Sequence, residues 1–400
     1  MSKIKLVIIG GGIVGTTIAL EAANSERFKE IILIEKEKEL GFHSSTRNSG
    51  VIHSGFYYSP ESNKAMFCSE GNKLLRKYCL RKKIKVNKCG KVVVSKNSQE
   101  DEILYELHKR GNSNNCNTKL FESKYLFQYE KYAITNNNFL WSPNTWSACP
   151  KTLFKTIIDE CISKNVKFLK NTTIKEGNER RVLTLTGEKI EFDYLINAAG
   201  GYALKLAESF GNNFPYILLP FKGLYLKSEI PIINMKRHIY PVPNLGQPFL
   251  GIHTTLTHDN YLKIGPTAIP CFSPENYSLF EGIDTELIKK IIPLHLYLLL
   301  SNEFGFRDLA FQESKYIFKN EIIKSASKLT SLDLRSINFK WHSPGIRAQL
   351  YDKNKKNLEF DFILKKQNRI FHLLNSISPA WTCSLKTAKE VINNLLLDIN

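Results

Sequence analysis

The fold is decided by KLVIIGGGIVG at residues 5–15 together with EIILIE at residues 30–35. Each segment contains an apolar run that predicts a buried strand, and the residues between them predict a helix. Gly10 permits a tight turn, Gly12 lets a pyrophosphate approach the backbone, and Gly15 lets the helix pack closely on the strand. The pattern therefore predicts a β-α-β unit that binds a dinucleotide at the N-terminus of its helix.

Further residues narrow the choice of dinucleotide. Glu35 ends the second strand at the distance from the glycines where a carboxylate holds the ribose hydroxyls, which favours FAD or NAD over NADP. The Ser/Thr-rich stretch at residues 44–50 offers hydroxyl and N–H groups to a second phosphate and a ribityl chain. Small residues at 198–200 end another buried strand, as is typical of flavoproteins with a two-dinucleotide-binding fold.

Nucleotide-type elements occur at the start, middle and end of the chain, and strand-rich regions interrupt them twice. We therefore expect an α/β protein in which a Rossmann-like domain is interleaved with an antiparallel-sheet domain. The nucleotide-binding domain is predicted at residues 1–85, 146–212 and 341–400. The substrate-binding domain is predicted at residues 86–145 and 213–340.

Composition limits the class of protein. The 400 residues include 56 Lys+Arg and 38 Asp+Glu, a net charge of +18, and 42% are apolar, which excludes a disordered chain. The charge is compatible with nucleic acid, an anionic membrane surface or an acidic substrate, although the lysines are spread along the chain. Eight cysteines without a CxxC pair, and the lack of an export signal, predict a reduced cytoplasmic protein without a bound metal.

Five motifs resemble one family, in the same order along the chain. They are NSGVIHSGFYY at residues 48–58, IYPVP at 239–243, PFLGIH at 248–253, GIRAQ at 345–349 and NSISPA at 375–380. Together they resemble the FAD-dependent L-2-hydroxyglutarate dehydrogenase/oxidase family, part of the wider D-amino-acid-oxidase and glycine-oxidase group. The first motif is the most specific, because the glycine pattern alone occurs in many unrelated enzymes.

The resemblance implies FAD as cofactor, oxidation of a small 2-hydroxy acid to the 2-oxo acid, and quinone or oxygen as electron acceptor. It also leaves open peripheral contact with the inner face of a membrane. The residues expected at the cofactor are Gly10, Gly12, Ile13, Val14, Gly15, Glu35, Lys36, Ser44, Ser45, Arg47, Asn48, Ser49, Gly50, Ile174, Ala198, Ala199, Gly200, Arg347, Ser378, Pro379 and Ala380.

The reaction that the resemblance implies needs a carboxylate anchor and a base. Arg347 is the candidate anchor, since a guanidinium grips a carboxylate with two hydrogen bonds. His53, slightly favoured, and His253 are candidate bases because an imidazole titrates near neutral pH. Additional candidate catalytic residues are Tyr57 and Tyr240, as hydrogen-bond donors, and Lys222, which falls where the family carries an arginine.

The chain also departs from the family pattern. Leu256, Leu374 and Trp341 stand where the family commonly carries arginine, and Thr46-Arg47 replaces a Gly-His pair. A lost charge-assisted contact typically costs ~1.5–3 kcal/mol. We therefore hypothesise that the catalytic residues are retained while the substrate need not be 2-hydroxyglutarate itself.

Three alternatives remain open at this point. An FAD-dependent amino-acid or amine oxidase of the glycine-oxidase type would use the same hydride chemistry and release ammonia. An RNA-binding flavoprotein is supported by the net charge alone, and the short isolated basic runs make nucleic acid an unlikely partner. The apolar residues at 287–300 suggest contact with a membrane surface, which is compatible with the main interpretation.

Overall fold

The computed structural model describes residues 4–247, 249–278, 281–282 and 284–399, so Pro248 of the third sequence motif lies outside the described residues. The helices are α1 (Ile13–Ser25), α2 (Asn63–Arg81), α3 (Ser98–Ser113), α4 (Leu126–Tyr129), α5 (Pro150–Ser163), α6 (Ala203–Ser209), α7 (Thr285–Ser301), α8 (Phe306–Ser314), α9 (Lys319–Ala326) and α10 (Ala380–Ile399). The strands are β1 (Lys5–Ile9), β2 (Glu30–Ile34), β3 (Val51–Ile52), β4 (Val86–Asn87), β5 (Lys91–Val94), β6 (Lys119–Glu122), β7 (Asn138–Ser142), β8 (Trp146–Ala148), β9 (Lys167–Leu169), β10 (Ile174–Gly177), β11 (Arg181–Thr184), β12 (Lys189–Glu191), β13 (Tyr194–Asn197), β14 (Tyr216–Pro231), β15 (His238–Pro241), β16 (His253–Leu256), β17 (Tyr261–Gly265), β18 (Ile269–Pro270), β19 (Phe339–Asp352), β20 (Asn357–Leu358), β21 (Leu364–Gln367) and β22 (Ile370–Leu373).

The chain packs into two units, each discontinuous in sequence. Unit 1 contains residues 1–47, 151–220 and 347–400, and unit 2 contains residues 48–150 and 221–346. Residues 48–85, predicted with the nucleotide-binding domain, pack in unit 2 because β3 pairs with β8 and the Asn72 amide bonds backbone of the β7–β8 turn. Which ligand each domain binds stays a prediction.

Unit 1 is built on a six-stranded sheet in the order β21–β22–β13–β1–β2–β9. β1 pairs in parallel with β2 and β13, as the predicted β-α-β unit requires. α1 packs on α10, where the Thr17 hydroxyl donates to the Ser384 carbonyl oxygen at 3.1 Å. The glycine-rich turn therefore follows the carboxyl end of a central strand, where open α/β sheets bind their ligands.

The main sheet of unit 2 runs β14–β17–β16–β15–β5–β7–β6, with β15 and β5 parallel. Alternate side chains on these strands point to opposite faces. One face is apolar and packs against α4 and α9; its strand residues include Val92, Val94, Ile239, Leu256, Leu262 and Ile264. In the described part of the chain, no helix is both long and apolar enough to span a bilayer.

Candidate cofactor site and active site

The turn after β1 leaves no room for side chains. A Cβ on Gly10 would lie 2.3 Å from the Ala198 carbonyl oxygen, and one on Gly15 would lie 2.0 Å from that of Gly10. α1 begins at Ile13, and its N-cap residue Gly12 provides no side-chain hydrogen bond. With no acidic side chain in its first turn, α1 directs its N–H groups and positive dipole end toward an anion.

Glu35 is held beside this turn at the end of β2. Its Oε2 accepts from the Gly11 N–H at 2.7 Å, and its Oε1 accepts from the Glu37 N–H at 2.9 Å. These bonds fix a buried carboxylate at the position from which it accepts from ribose hydroxyls. The next residue, Lys36, pairs with Glu37 and lies 5.2 Å from the ring centroid of Tyr202.

The Ser/Thr-rich loop returns to the start of α1. Ser45 Oγ accepts from the Ile13 N–H at 2.8 Å, which brings this hydroxyl to the glycine-rich turn. Ser44 is exposed. Arg47 Nε donates to the Phe42 carbonyl oxygen at 2.9 Å, and its guanidinium lies over the Phe42 ring.

Two more predicted segments reach this end of the sheet. The Ala198 N–H donates to the carbonyl oxygen of Ile9, the last residue of β1, at 2.8 Å. The small residues 198–200, which follow β13, therefore lie beside the glycine-rich turn. Ile174 begins β10. The chain just before it is tied to the end of β2, where the Thr172 N–H donates to the Glu35 carbonyl oxygen at 2.9 Å.

The segment before α10 contains buried polar atoms without partners. The Asn375 amide N–H₂ donates to two carbonyl oxygens of the β20–β21 loop, at 3.0 and 2.7 Å. Among the described residues, nothing bonds Asn375 Oδ1 or the indole N–H of Trp381 in the first turn of α10. Buried polar atoms nearly always have a partner. The two atoms therefore indicate a ligand along this segment, which includes the exposed Ser378 and the buried Pro379 and Ala380.

Arg347 is half-buried on β19, and a buried neighbour fixes its orientation. Its Nε donates to Gln349 Oε1 at 3.0 Å, and the Gln349 amide donates to the Glu359 carbonyl oxygen. A bidentate grip on a carboxylate requires the guanidinium plane to be held in this way.

Unit 1 thus fits the FAD that the sequence motifs implied. The crowded glycines would hold its pyrophosphate against the start of α1, and Glu35 would hold its ribose. The two unpartnered atoms of Asn375 and Trp381 are compatible with the polar edge of a bound flavin.

The Asn-Ser-Gly block at residues 48–50 lies in unit 2. Asn48 Oδ1 accepts from the Gly50 N–H at 2.9 Å, and the Gly50 carbonyl oxygen accepts from the Ala148 N–H of β8 at 2.9 Å. Ser49 Oγ accepts from the Val51 N–H, at the start of β3, at 3.3 Å. Lys263 Nζ donates to the Asn48 carbonyl oxygen at 3.2 Å. The block is therefore fastened between β8 and β17.

The face of the unit 2 sheet opposite the apolar cluster is polar and buried. By strand alternation it carries Lys91 of β5, His238 and Tyr240 of β15, His253 of β16 and Lys263 of β17. Burying polar groups is costly unless they are bonded or used by a ligand. We call this set the polar face.

Tyr240 lies at the centre of the polar face. Its ring stacks on His253 with centroids 3.7 Å apart, and Lys91 Nζ lies 3.7 Å from the same Tyr240 centroid. Two groups that close cannot share one side of the ring, so Lys91 and His253 lie on opposite sides. Lys91 Nζ also lies 5.0 Å from the ring centroid of Tyr57. In the described structure the Tyr57 hydroxyl and the Lys91 amine are buried without hydrogen bonds, and the Tyr240 hydroxyl lies by Thr255.

Hydrogen bonds fix the tautomers of two imidazoles. His253 Nδ1 lies 2.7 Å from the Gly251 carbonyl oxygen, which accepts only, so Nδ1 carries the proton and Nε2 is the basic nitrogen. His238 Nδ1 accepts from the Leu256 N–H at 3.0 Å, and its Nε2 faces Cys89 Sγ at 3.1 Å. His238 is thus engaged on both ring nitrogens, whereas the bonds fixed here leave His253 a nitrogen that can accept a proton.

Burial sets the charge of this group. Desolvation, with a smaller contribution from Lys91, lowers the pKa of His53 well below its usual range and that of His253 to about 3. Desolvation also lowers the pKa of Lys91 to about 7 and raises the pKa of Tyr57 well above its usual value. Near neutral pH the imidazoles are therefore uncharged and the phenol keeps its proton.

Lys222 lies on β14, which β17 separates from β16 in the sheet. It is half-buried on β14, and its Nζ donates to the Ser278 carbonyl oxygen at 3.4 Å. Burial lowers its pKa. No described contact joins it to Tyr240, Lys91 or His253.

The comparisons with known proteins decide the family. The family model described as FAD dependent oxidoreductase, DAO, matches residues 5–393, which is almost the whole chain. The chain belongs to this family. The resemblance noted from the motifs, the α/β fold and FAD as cofactor are thereby confirmed.

Two relatives of this FAD-dependent oxidoreductase are named for the same activity. The chain is 30% identical to the mitochondrial L-2-hydroxyglutarate dehydrogenase of Homo sapiens, with 96% of the chain and 87% of the relative covered. It is 27% identical to the L-2-hydroxyglutarate dehydrogenase of Escherichia coli K12, with 97% of the chain and 92% of the relative covered.

Solved structures agree on the fold of the FAD-dependent oxidoreductase. An FAD-bound L-α-glycerophosphate oxidase from Mycoplasma pneumoniae matches with a TM-score of 0.74 and 21% identity, over 99% of this chain and 95% of the other. A glycine oxidase from Geobacillus kaustophilus matches with a TM-score of 0.70 and 14% identity, over 98% of this chain and 95% of the other. At these identities the likeness shows the fold alone.

Sequence reasoning missed Lys91, Lys263 and Gln349. A signal for the first two was present, since each lysine interrupts an apolar strand pattern: KVVV at residues 91–94 and YLKIG at 261–265. A charged residue at an inward position of a buried strand indicates a functional face or a partner. Gln349 lies two residues after Arg347, a spacing that puts both on the same side of a strand.

Proposed function

We propose that this FAD-dependent oxidoreductase oxidises a small L-2-hydroxy acid to the 2-oxo acid, with L-2-hydroxyglutarate as the first substrate to test. The observation that carries the proposal is the polar face, where neutral imidazoles lie among phenols whose protons are retained. Removing a hydroxyl proton requires such a base, and the names of the relatives supply the substrate class.

The reaction breaks two bonds of the substrate. Hydride leaves C2 with its electron pair, and the hydroxyl proton passes to a base. When bound, FAD supplies the acceptor for the hydride. His53 and His253 are the proposed bases, and the defined tautomer of His253 would make Nε2 its accepting atom.

Arg347 is the proposed anchor of the substrate carboxylate. Gln349 holds the Nε side of its guanidinium, which orients the group for a two-point contact. Tyr57 and Tyr240 are the proposed donors to substrate oxygens. The buried Tyr57 hydroxyl lacks a partner among the described residues, and burial raises the pKa of Tyr240, so that both phenols keep a proton to donate. Lys222 is kept as a proposed additional positive charge at the substrate.

Three positions where the family commonly carries arginine are uncharged here, and such arginines could hold the distal carboxylate of the substrate. Leu256 packs in the apolar cluster of unit 2, so its side chain points away from the polar face. Leu374 is buried, and Trp341 is 48% exposed. The leucine at 256 therefore removes no charge from the polar face, which keeps L-2-hydroxyglutarate ahead of less acidic 2-hydroxy acids.

For the electron acceptor we propose quinone at an anionic membrane surface inside the cell, with oxygen as the competing acceptor. The support is an apolar patch on α7 and α8, where Leu296, Leu300 and Phe311 are 58%, 83% and 70% exposed. Lys290 on α7 adds positive charge, whereas Lys289 is paired with Glu286 at 2.8 Å. Flotation with anionic vesicles tests this proposal; binding that survives Leu300→Glu and Phe311→Glu would contradict it.

The central experiment is anaerobic mixing of the purified protein with L-2-hydroxyglutarate. We expect oxidised flavin absorbance to disappear and 2-oxoglutarate to form in equal amount, with the D-enantiomer as the inactive control. Flavin that stays oxidised with L-2-hydroxyglutarate, L-lactate and L-malate would contradict the proposal. Ammonia released from an amino acid would instead establish the amine-oxidase alternative.

A further inference from the structure

Lys91 is a buried cation that the proposed reaction does not use. Its side chain has no exposed surface, and its Nζ makes no hydrogen bond in the described structure. It lies against the ring of Tyr240 on the side opposite His253. A buried ammonium without a partner is strongly destabilising, so an unpaired lysine retained here requires an explanation.

Among the described residues, no carboxylate acts on the charge of Lys91; the acidic groups that do are the thiols of Cys89 and of Cys68, which donates to the His53 carbonyl oxygen at 3.5 Å. Titratable groups surround it from the segment after β3, from α2, from β15 and β16 and from the residues just before β5. They are His53, Tyr57, Cys68, His238, Tyr240, His253 and Cys89. Burial raises the pKa of Cys89 to about 12, so this thiol keeps its proton. Tyr240 contributes the face of its ring, which attracts a cation only weakly compared with a carboxylate.

We propose that Lys91, which lies against Tyr240 on the side opposite His253, is a positioning residue that holds the proton of this cluster and so sets how readily the neighbouring imidazoles accept the substrate proton. The proposal rests on the proposed function in one respect: it takes His53 or His253 as the base.

The order of protonation follows from the burial of each group. The pKa of Lys91 is lowered to about 7 and that of His253 to about 3, so the first proton that enters the cluster resides on Lys91. A charged Lys91 opposes the imidazolium that forms when a histidine takes the substrate proton, since like charges repel strongly in a buried site. A neutral Lys91 does not.

The first test is the pH dependence of kcat/KM for wild type, Lys91→Met and Lys91→Arg. We expect wild type to rise about tenfold or more through a step near pH 7. Lys91→Met, which matches the length without charge, should lose the step and stay at the upper level. Lys91→Arg, charged throughout, should stay at the lower level.

A role in packing alone predicts a different result. Both variants would then lose activity equally at every pH and keep any wild-type step. That result, or a wild-type profile without a step near pH 7, would overturn the proposal.

The second test needs no substrate. The pKa of Lys91 is about 7 when folded and 10.5 ordinarily, so between these values the unfolded chain binds more protons. The free energy of unfolding of FAD-bound wild type should therefore rise relative to Lys91→Met from pH 7 to about pH 10, and the difference should be constant below pH 7. If the free energies of unfolding of wild type and Lys91→Met changed with pH in parallel, Lys91 would be an ordinary, permanently charged lysine and the inference would be refuted. If the protein failed to oxidise 2-hydroxy acids, this measurement would still decide the protonation of Lys91.

Discussion

The glycine-rich turn of unit 1 is formed by backbone groups, whereas the polar face of unit 2 is formed by side chains. The turn is a backbone structure: Gly10, Gly12 and Gly15 matter because they lack side chains, and Glu35 holds the Gly11 N–H. The polar face is made of side chains that strand register brings together. A site made of backbone is specified within a few consecutive residues, whereas a site made of side chains depends on how distant strands pair.

The two regions also tolerate change differently. At the turn, a Cβ added to Gly10 or Gly15 collides with backbone, which cannot move aside without shifting a strand. On the polar face, each side chain touches other side chains, so a substitution alters charge and proton transfer before it alters the fold. We therefore expect substitutions at the glycine-rich turn to act through cofactor content and those on the polar face to act through rate and pH.

The largest effect is expected from Gly15→Val. Its Cβ would lie 2.0 Å from the Gly10 carbonyl oxygen, and the branched side chain would force α1 away from the turn. We expect the purified variant to contain no FAD by absorbance. Gly246→Ala is the control, because its Cβ would meet only Asn244 Oδ1, at 3.4 Å, and it should keep a full complement of FAD. Stoichiometric FAD in Gly15→Val would refute the backbone explanation.

The next largest effect concerns the base in unit 2. We expect one of the variants His53→Gln and His253→Gln to lower kcat by ~10²–10⁴, with the flavin spectrum unchanged. His238→Gln is the matched control: both ring nitrogens of His238 face partners, so its loss should lower thermal stability and leave kcat within about tenfold. Rapid-reaction measurement of flavin reduction separates these cases, and full activity in both test variants would remove histidine from the mechanism.

A smaller effect is expected from Arg347→Lys. Lysine keeps the charge and loses the two-point grip, so KM for the hydroxy acid should rise about 10- to 100-fold while kcat changes less. Arg47→Lys serves as the comparison, because its Nε bonds the Phe42 carbonyl oxygen, and its KM should be unchanged. An unchanged KM in Arg347→Lys would argue that the carboxylate is anchored elsewhere.

The same contrast explains how much the sequence alone could predict. The β-α-β unit and the FAD cofactor followed from residues 5–35 and a few contiguous motifs, because each local pattern carries its own physical requirement. The group of Lys91, Tyr240 and His253 did not follow, since β5 and β16 lie about 160 residues apart and meet through β15. Without strand register, Lys91 is a lysine in a valine-rich strand, and its lack of a partner becomes visible only in three dimensions.

The smallest effect on turnover is expected from Glu313, a buried carboxyl of unit 2 that lies on α8. It accepts from the Ala268 N–H at 2.5 Å, and burial raises its pKa to about 7, against 4.5 ordinarily. Because the folded pKa is the higher one, this group stabilises the protein below pH 4.5 and loses that contribution as pH rises through 7.

Glu313→Gln keeps an oxygen for the Ala268 N–H and removes the titration. Wild type should lose about 1–3 kcal/mol of unfolding free energy relative to this variant between pH 4.5 and 8, while kcat stays within about twofold. Denaturant unfolding across this pH range measures the difference. If Glu313→Gln altered the pH profile of kcat, a buried charge outside the polar face would be shown to affect the reaction rate. If the variant changed the unfolding free energy and left kcat unchanged, the effect of buried charge on the rate would be limited to the polar face around Tyr240.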